Sequence, residues 1–349
     1  MPTIQANELQ SFAEELFVAA KVPAEEARIV AGSLVGSNLR GHDSHGVMRI
    51  PYYVQFVREG RIHPGASLET LSETPAALAC DGGWGFGQVQ VPRLFERLGQ
   101  KARGLGVACG SLRRAGHIGR VGEYAELAAA SSLAMLAMVN THGSGPRVAP
   151  PGGKLPRLST NPYCVGVPTR GEPVILDFGT SVVAEGKVRV HRIAGTPCPP
   201  GWLLDPEGRP TTDPNQLYVD PPGSILPMGG DQAYKGFGLA LTIDMLAGGL
   251  SGGWCSRPNP ELPLGNDALF MLLDPARLGV LDHFLTEVTN LAAHVRSCPT
   301  VEGVGEILLP GDPERRTLAY RSVHGIPLDE GNWGLLTGLA RKLGVPLLS

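Results

Sequence analysis

No stretch of this 349-residue chain reads GxGxxG between a strand and a helix, and none reads GxxxxGK[ST] or HExxH. Those absences remove a dinucleotide fold of the common doubly wound kind, a P-loop nucleotidase and a zincin. The nearest approaches fail on spacing: Gly83-Trp84-Gly85-Phe86-Gly87 has no third glycine in place, and Gly104-Leu105-Gly106 has Cys109 where that glycine belongs. Six cysteines, at positions 80, 109, 164, 198, 255 and 298, form no CxxC pair and no zinc spacing. They read as small core hydrophobes in a reducing cytoplasm, and no metal is expected. Apolar runs such as Leu133 to Val139 are far too short to span a bilayer, and the early Glu8, Glu14 and Glu15 leave no room for the apolar region of a secretory signal. Polybasic runs are missing too, and a net charge of −3 gives no long-range pull toward nucleic acid or an anionic membrane.

What is present fits a large globular enzyme: 42% hydrophobic and 18% charged residues in a chain long enough for two lobes. Leu9, Phe12, Leu16 and Ala20 recur at helical spacing, Pro23 opens a second helix with Glu25 and Glu26 in its first turn, and a third helix is expected from Val47 to Glu59. Near residue 76 the rhythm changes to alternating strands and helices. Strands are expected at Ala76–Cys80, Gly106–Ser111, Leu133–Asn140, Val174–Phe178 and Leu269–Leu273. Helices are expected at Val91–Ala102, His117–Ala130, Ser181–His191, Lys235–Leu250, Gly279–Arg296 and Asn332–Leu343. The long stretch from Gly195 to Ala233 carries only turn signals, and a structureless loop of that length is usually functional or an interface.

The most informative segment is Arg40-Gly41-His42-Asp43-Ser44-His45-Gly46-Val47-Met48-Arg49. An imidazole exchanges a proton near neutral pH, and a guanidinium grips a carboxylate through two parallel hydrogen bonds. His45 and Arg49, placed at a helix-to-helix junction, suit the binding and protonation of a small 2-oxo acid. The bland alternative is a helix boundary with a solvated His and Arg.

Other segments are weaker. His117-Ile118-Gly119-Arg120-Val121, read as the opening of a helix after a strand, would point free backbone N–H groups and the Arg120 charge at an anion. Thr160-Asn161-Pro162 offers two short polar side chains before a rigid turn. Asp177, ahead of Phe178 and Gly179 at the end of an apolar strand, could accept from ribose hydroxyls. Lys235 sits beside a glycine at a helix start, and Pro310-Gly311-Asp312 is a common turn.

Taken in order along the chain, Gly41-His42-Asp43-Ser44-His45-Gly46, Phe86-Gly87-Gln88-Val89, His117-Ile118-Gly119-Arg120, Thr160-Asn161-Pro162, Gly186-Lys187-Val188-Arg189-Val190, Pro199-Pro200-Gly201, Gly208-Arg209-Pro210-Thr211-Thr212 and Lys235-Gly236 resemble the type 2 malate/L-lactate dehydrogenase family, nearest to its hydroxycarboxylate dehydrogenase branch. The resemblance implies an α/β fold like that of L-sulfolactate dehydrogenase: a three-layer mixed sheet with a non-Rossmann nicotinamide-binding domain, plus a helical lobe. It divides the chain into a helical substrate and dimerisation lobe, residues 1–75 joined by 300–349, and a nicotinamide-binding α/β domain, residues 76–299. It implies a homodimer using NAD or NADP to interconvert a small 2-hydroxy acid and its 2-oxo acid.

Carried over by the same resemblance, His45 would exchange the proton, Ser44 would orient it, and His117 would lie close to the reacting carbon. Arg49 and Thr160 would hold the substrate. His117, Ile118, Gly119, Arg120, Val121, Asp177, Phe178, Gly179, Lys235, Gly311 and Asp312 would hold the cofactor. The chain departs from the family pattern where Asn-Ser is usual and Arg114-Ala115 stand, and where Gly is usual and Ser159 stands. Imine-reducing relatives carry an acidic residue at the position of Lys187, which favours hydroxy acids here. The alternatives are a cyclic imino-acid reductase and a catalytically silent nucleotide- or carboxylate-binding homologue.

Overall fold

A computed structural model describes residues 2–143, 145–257 and 263–348. The N-terminal lobe is built from amphipathic helices. Helix α1 (Ala6–Ala19) buries Leu9, Phe12, Leu16 and Phe17 against α2 (Ala24–Leu39), whose first turn carries Glu25 and Glu26 where negative charge suits the helix dipole. A short helix α3 (Ile50–Arg58) and a helix from the far end of the chain, α10 (Glu330–Leu343), close the same apolar core, to which Ile326, Leu336 and Ala340 contribute. The paired Thr3–Ile4 and Ile326–Pro327 tie the two ends together. Helix α9 (Asp312–His324) lies beside α2 and buries none of its residues.

The centre is a mixed seven-stranded sheet. In spatial order its strands are Glu69–Glu73, Ala77–Asp81, Val107–Ala115, Asn266–Leu273, Ala134–Thr141, Tyr163–Val167 and Val174–Phe178. Only Ala77–Asp81 and Val107–Ala115 run parallel; every other pairing is antiparallel. Alternation splits each strand between two faces. Met135, Ala137 and Val139, with Ala268, Phe270 and Leu272, face α4 (Gly87–Leu105) and α5 (Gly122–Ala130). Asn140 points the other way and donates to Asp244 of α7 (Ala233–Asp244) at 3.1 Å, so helices cover both faces. This is the expected three-layer mixed sheet.

Several boundaries differ from the sequence reading. Helix α4 begins at Gly87, and its first turn is buried against the helical lobe and neighbouring loops, Gln88 reaching Tyr53 Oη and Gln90 reaching Ala66 O. The strand Tyr163–Val167 and helix α9 were not expected, and the final turns of the expected Lys235–Leu250 helix widen into a π-helical turn, Met245–Gly249. The expected helix His117–Ala130 starts only at Gly122. The stretch from Gly195 to Ala233 is not structureless. Leu203–Leu204, Pro210–Thr211 and Ser224–Ile225 form a small sheet over a third core of Val148, Val183, Val188, Leu203, Leu217 and Ile225. Helix α6 (Glu185–Ala194) belongs to this core through Val188.

Candidate active site

Where α2 ends, the chain makes two 3-10 turns, Asp43–His45 and Val47–Arg49, before α3. Asn38, fully buried, holds this junction: its Oδ1 accepts from Val47 N at 2.8 Å and its Nδ2 donates to Asp43 Oδ1 at 2.6 Å. Gly46 passes so close to Asn38 that a Cβ would fall 2.2 Å from its side chain, which explains the glycine. Ser44, His45 and Arg49 are thereby turned into one cavity of about 280 Å³. Its other walls include Tyr52, Tyr53 and Phe56 of α3, His117, Arg147, Thr160, Glu185 and Arg189 of α6, and Asn266.

Ser44 Oγ lies 3.0 Å from His45 Nδ1. Arg49 donates through Nε to Ser44 O at 2.7 Å, which aims its guanidinium while leaving both terminal nitrogens without a side-chain partner among the described residues. Burial first, then the charges of Arg49, His42 and Arg120, push the His45 imidazole down to about 3, so it is neutral at physiological pH. His117 is neutral for the same leading reason, burial, reinforced by Arg49.

The protonation of His117 can be read from its neighbours. Gly119 N–H donates to His117 Nδ1 at 3.2 Å, and Tyr53 Oη lies 2.6 Å from the same nitrogen while accepting from Gln88 Nε2 at 3.0 Å. A nitrogen that accepts from a backbone N–H carries no proton, so the proton of neutral His117 sits on Nε2. The ring therefore offers a donor. Tyr53 is buried, and burial raises its phenol to about 12, so it remains a hydroxyl across the working range. Asn266 locks the loop behind: its Oδ1 accepts from Ile118 N at 3.0 Å and its Nδ2 donates to Asn140 O at 2.7 Å.

Of the expected residues, Ser44, His45, Arg49, His117 and Thr160 meet in this cavity. Arg120, Asp177 and Gly311 line a smaller neighbouring cavity with His42, Glu126, Ile175, Glu314 and Arg315. Gly179 lies against the carbonyl of Thr160, and Phe178 packs edge-on to Tyr163. Ile118 and Val121 are core residues.

The segment His117–Val121 is a loop, not a helix start, and two of its N–H groups are taken, Ile118 N by Asn266 and Gly119 N by His117, while Gly122 N, at the true start of α5, is held by Asp177 Oδ2 at 2.6 Å. Arg120 is buried and pairs with Glu126 at 2.9 Å, yet its Nε has no partner among the described residues. Lys235 lies on the exposed first turn of α7, outside both cavities. Asp312 anchors the start of α9 by accepting from Leu309 N and pairing with Arg296 and Arg315. Lys187 is exposed and lines neither cavity; the carboxylate that α6 presents is Glu185, tied to Arg189 at 2.8 Å and to Tyr218 Oη at 2.7 Å. Arg114 is drawn away by Asp81, which is 1% exposed and also holds Arg113.

Tyr53, Arg147, Glu185, Arg189 and Asn266 receive no site role from the sequence. Tyr53 stands four residues after Arg49, one helical turn away, and that spacing was the available signal. Two lobes also meet tightly here: a Cβ on Gly186 would fall 2.7 Å from Ser44 Cβ.

An α/β fold without a Rossmann fingerprint, holding a paired histidine and an arginine free for a carboxylate, defines the class of the malate/L-lactate dehydrogenases. The chain belongs to that malate/L-lactate dehydrogenase family, whose model matches residues 4–337. It is 36% identical to hydroxycarboxylate dehydrogenase B of Escherichia coli K12, over 98% of this chain and 94% of that protein. Among solved structures it is similar to sulfolactate dehydrogenase from Methanocaldococcus jannaschii, with TM-score 0.86 and 31% identity over 99% of this chain and 98% of that one. It is also similar to delta1-piperideine-2-carboxylate reductase from Pseudomonas syringae pvar. tomato, with TM-score 0.84 and 29% identity over 97% of this chain and all of that one (100%).

Proposed function

We propose that this protein is an NAD(P)-dependent oxidoreductase interconverting a small 2-hydroxy acid and its 2-oxo acid. The observation that carries the reading is a single cavity containing a proton-exchanging imidazole, a second imidazole fixed as a donor, and an arginine whose terminal nitrogens lack partners among the described residues. The residues also fit a nicotinamide dinucleotide. The main cavity has room for a ring and a small acid, and the buried unpartnered Nε of Arg120, beside Asp177 and Gly311, suits a ligand's polar oxygens. His117, Ile118, Gly119, Arg120, Val121, Asp177, Phe178, Gly179 and Gly311 are the residues we assign to it; Lys235 and Asp312 remain the more distant part of that assignment. When bound, the cofactor supplies hydride exchange at the 2-carbon.

The chain's own contribution is orientation and proton handling. Arg49 takes the carboxylate in a fork. His117 Nε2–H donates toward the oxygen on the 2-carbon, and His45 removes the hydroxyl proton in oxidation or returns it in reduction. A carboxylate on Arg49 cancels the largest of the charges that depress His45, so substrate binding itself raises the basicity of His45 toward a useful value. Lys187, being exposed, no longer weighs against the imino-acid reductase reading, which therefore stays as the rival.

A cofactor-oxidation screen across 2-oxo acids, with NADH and with NADPH, tests this. Turnover of an oxo acid is expected. Turnover only with a pyrroline- or piperideine-2-carboxylate would favour the imine reductase, and tryptophan quenching by NADH with no turnover would favour a silent binding homologue. We further propose a homodimer in the cytoplasm. Helices α8 (Leu281–Arg296) and α9 bury no residue although Leu291, Tyr320 and Val323 are exposed on them, and light scattering in solution decides it. No helix among the described residues is long and apolar enough to cross a membrane.

A further inference from the structure

The cavity holds three arginines, and they are not equivalent. Arg189 is neutralised by Glu185 through contacts of 2.8 and 2.9 Å and stacks over Tyr52, with its guanidinium carbon 5.0 Å from the ring centre. Arg49 has no carboxylate partner among the described residues and is accounted for by the carboxylate of the proposed substrate. Arg147 has no carboxylate partner among the described residues either; its guanidinium donates only to the carbonyl of its neighbour Pro146, at 3.2 Å.

This is not a loosely held surface side chain. The Arg147 backbone is fixed on both sides, with N donating to Leu158 O at 2.8 Å and O accepting from Ile225 N at 2.7 Å. The next residue, Val148, is 1% exposed and bridges both Leu158 and Ile225. The third core thus carries Arg147 to the wall of the same cavity that Arg49 enters from the helical lobe. With His45 and His117 both neutral and Glu185 spent on Arg189, two positive charges of the cavity, Arg49 and Arg147, have no carboxylate against them among the described residues. A monocarboxylate answers one of them.

We propose that Arg147 forms a second anion subsite, and that the preferred substrate is a dianionic 2-oxo acid whose far end carries another carboxylate or an equivalent anionic group. The inference rests on the 2-hydroxy acid reading above and names which members of that class the site takes. Arg49 holds the carboxylate next to the reacting carbon; Arg147 holds the far one. The bond to Pro146 O uses one N–H of five, which leaves a fork for a bidentate anion.

The test compares oxaloacetate with pyruvate in the intact protein and in Arg147→Gln and Arg147→Lys. Oxaloacetate should have the higher kcat/KM in the native protein, and the ratio of the two should drop about tenfold or more in Arg147→Gln, with partial recovery in Arg147→Lys. Malonate and acetate, titrated by calorimetry without cofactor, give a second readout: malonate should bind more tightly than acetate, and only the native protein should show the full difference. Equal kcat/KM for the two oxo acids, or a ratio unmoved by Arg147→Gln, would overturn the proposal. So would a rise in the KM for NADH by the same factor with both acids, which would place Arg147 on the cofactor instead. If neither oxo acid is turned over, the dehydrogenase reading itself fails, and the malonate comparison still decides whether the second subsite exists.

Discussion

The imidazoles of His45 and His117 lie nearly parallel, with 25° between their planes and 5.4 Å between their centres. Two protonated rings at that distance would repel each other, and the site avoids this by keeping both neutral. The rings are then distinguished by their backs. His117 has its Nδ1 filled by Gly119 and Tyr53, whereas among the described residues His45 hydrogen-bonds only to the rotatable hydroxyl of Ser44. One ring is fixed as a donor; the other is free to gain and lose a proton.

His45→Asn keeps a polar ring-sized group but removes the exchangeable proton site. It should lower kcat by about 10²–10⁴-fold in both directions while leaving NADH binding, read by fluorescence, within a few-fold. A variant turning over at the native rate would remove His45 from the mechanism.

The pH dependence follows from the direction of the His45 shift. Oxidation needs the neutral ring, and with its value near 3 instead of 6.5 the free protein has that form at every pH above about 4. The kcat/KM for oxidation should therefore show no acid limb centred near 6.5. For reduction, kcat/KM should keep rising as pH falls from 8 to 5, since the protonated ring is the minor form throughout. Arg49→Gln removes a depressing charge and should move the limb of the reductive profile upward in pH.

Arg49→Lys exchanges a fork for a point charge while Nε, which donates to Ser44 O, is lost as well. The KM for the acid should rise by about 10–100-fold, with a smaller effect on kcat. An unchanged KM would mean that the carboxylate lies elsewhere.

Tyr53→Phe removes the hydroxyl between Gln88 and His117 without changing the ring packing on Phe17 and Phe86. The Nδ1 of His117 keeps its Gly119 donor, so the tautomer persists but the ring is held by one bond fewer. A loss of about tenfold in kcat with little change in KM is expected. A purely structural role would instead appear as lower thermal stability with native kcat.

Gly87→Ala introduces a Cβ that would fall 2.6 Å from Ile118 Cα and 2.7 Å from Gly116 O, both backbone atoms of the loop that carries His117. Overpacking of this kind should cost about 1–3 kcal/mol, measurable by denaturant unfolding, and should lower activity by more than the unfolded fraction explains.

Much of the fold was legible because it rests on period. The α1 and α2 pattern and the strand–helix alternation after residue 76 place the lobes and the layers. Helix α9 escaped because Asp312–His324 carries no apolar stripe to read. The strand Tyr163–Val167 escaped because Pro162 and Gly166 punctuate it, although sheet position, not propensity, decides its conformation. Within the site, His45, Arg49, His117 and Thr160 were recognisable by residue type and order. The partners that define their states were not. Gln88 reaches Tyr53 across 35 positions and Asn266 reaches Ile118 across 148, and no local pattern encodes such a pairing. Asp177, whose place at a strand end suggests a ligand contact, also accepts from Gly122 N at the start of α5, a structural role that no local pattern announces.

Position 186 has no side chain, and the turn bearing Ser44 is seated directly on that vacancy of matter. One added carbon there would act as a shim, prising the wall formed by Glu185 and Arg189 off the lobe that moves the proton. The width of the whole reaction chamber is thus set by an atom the sequence omits, and any effort to recast the site for bulkier acids has that seam as its natural point of adjustment.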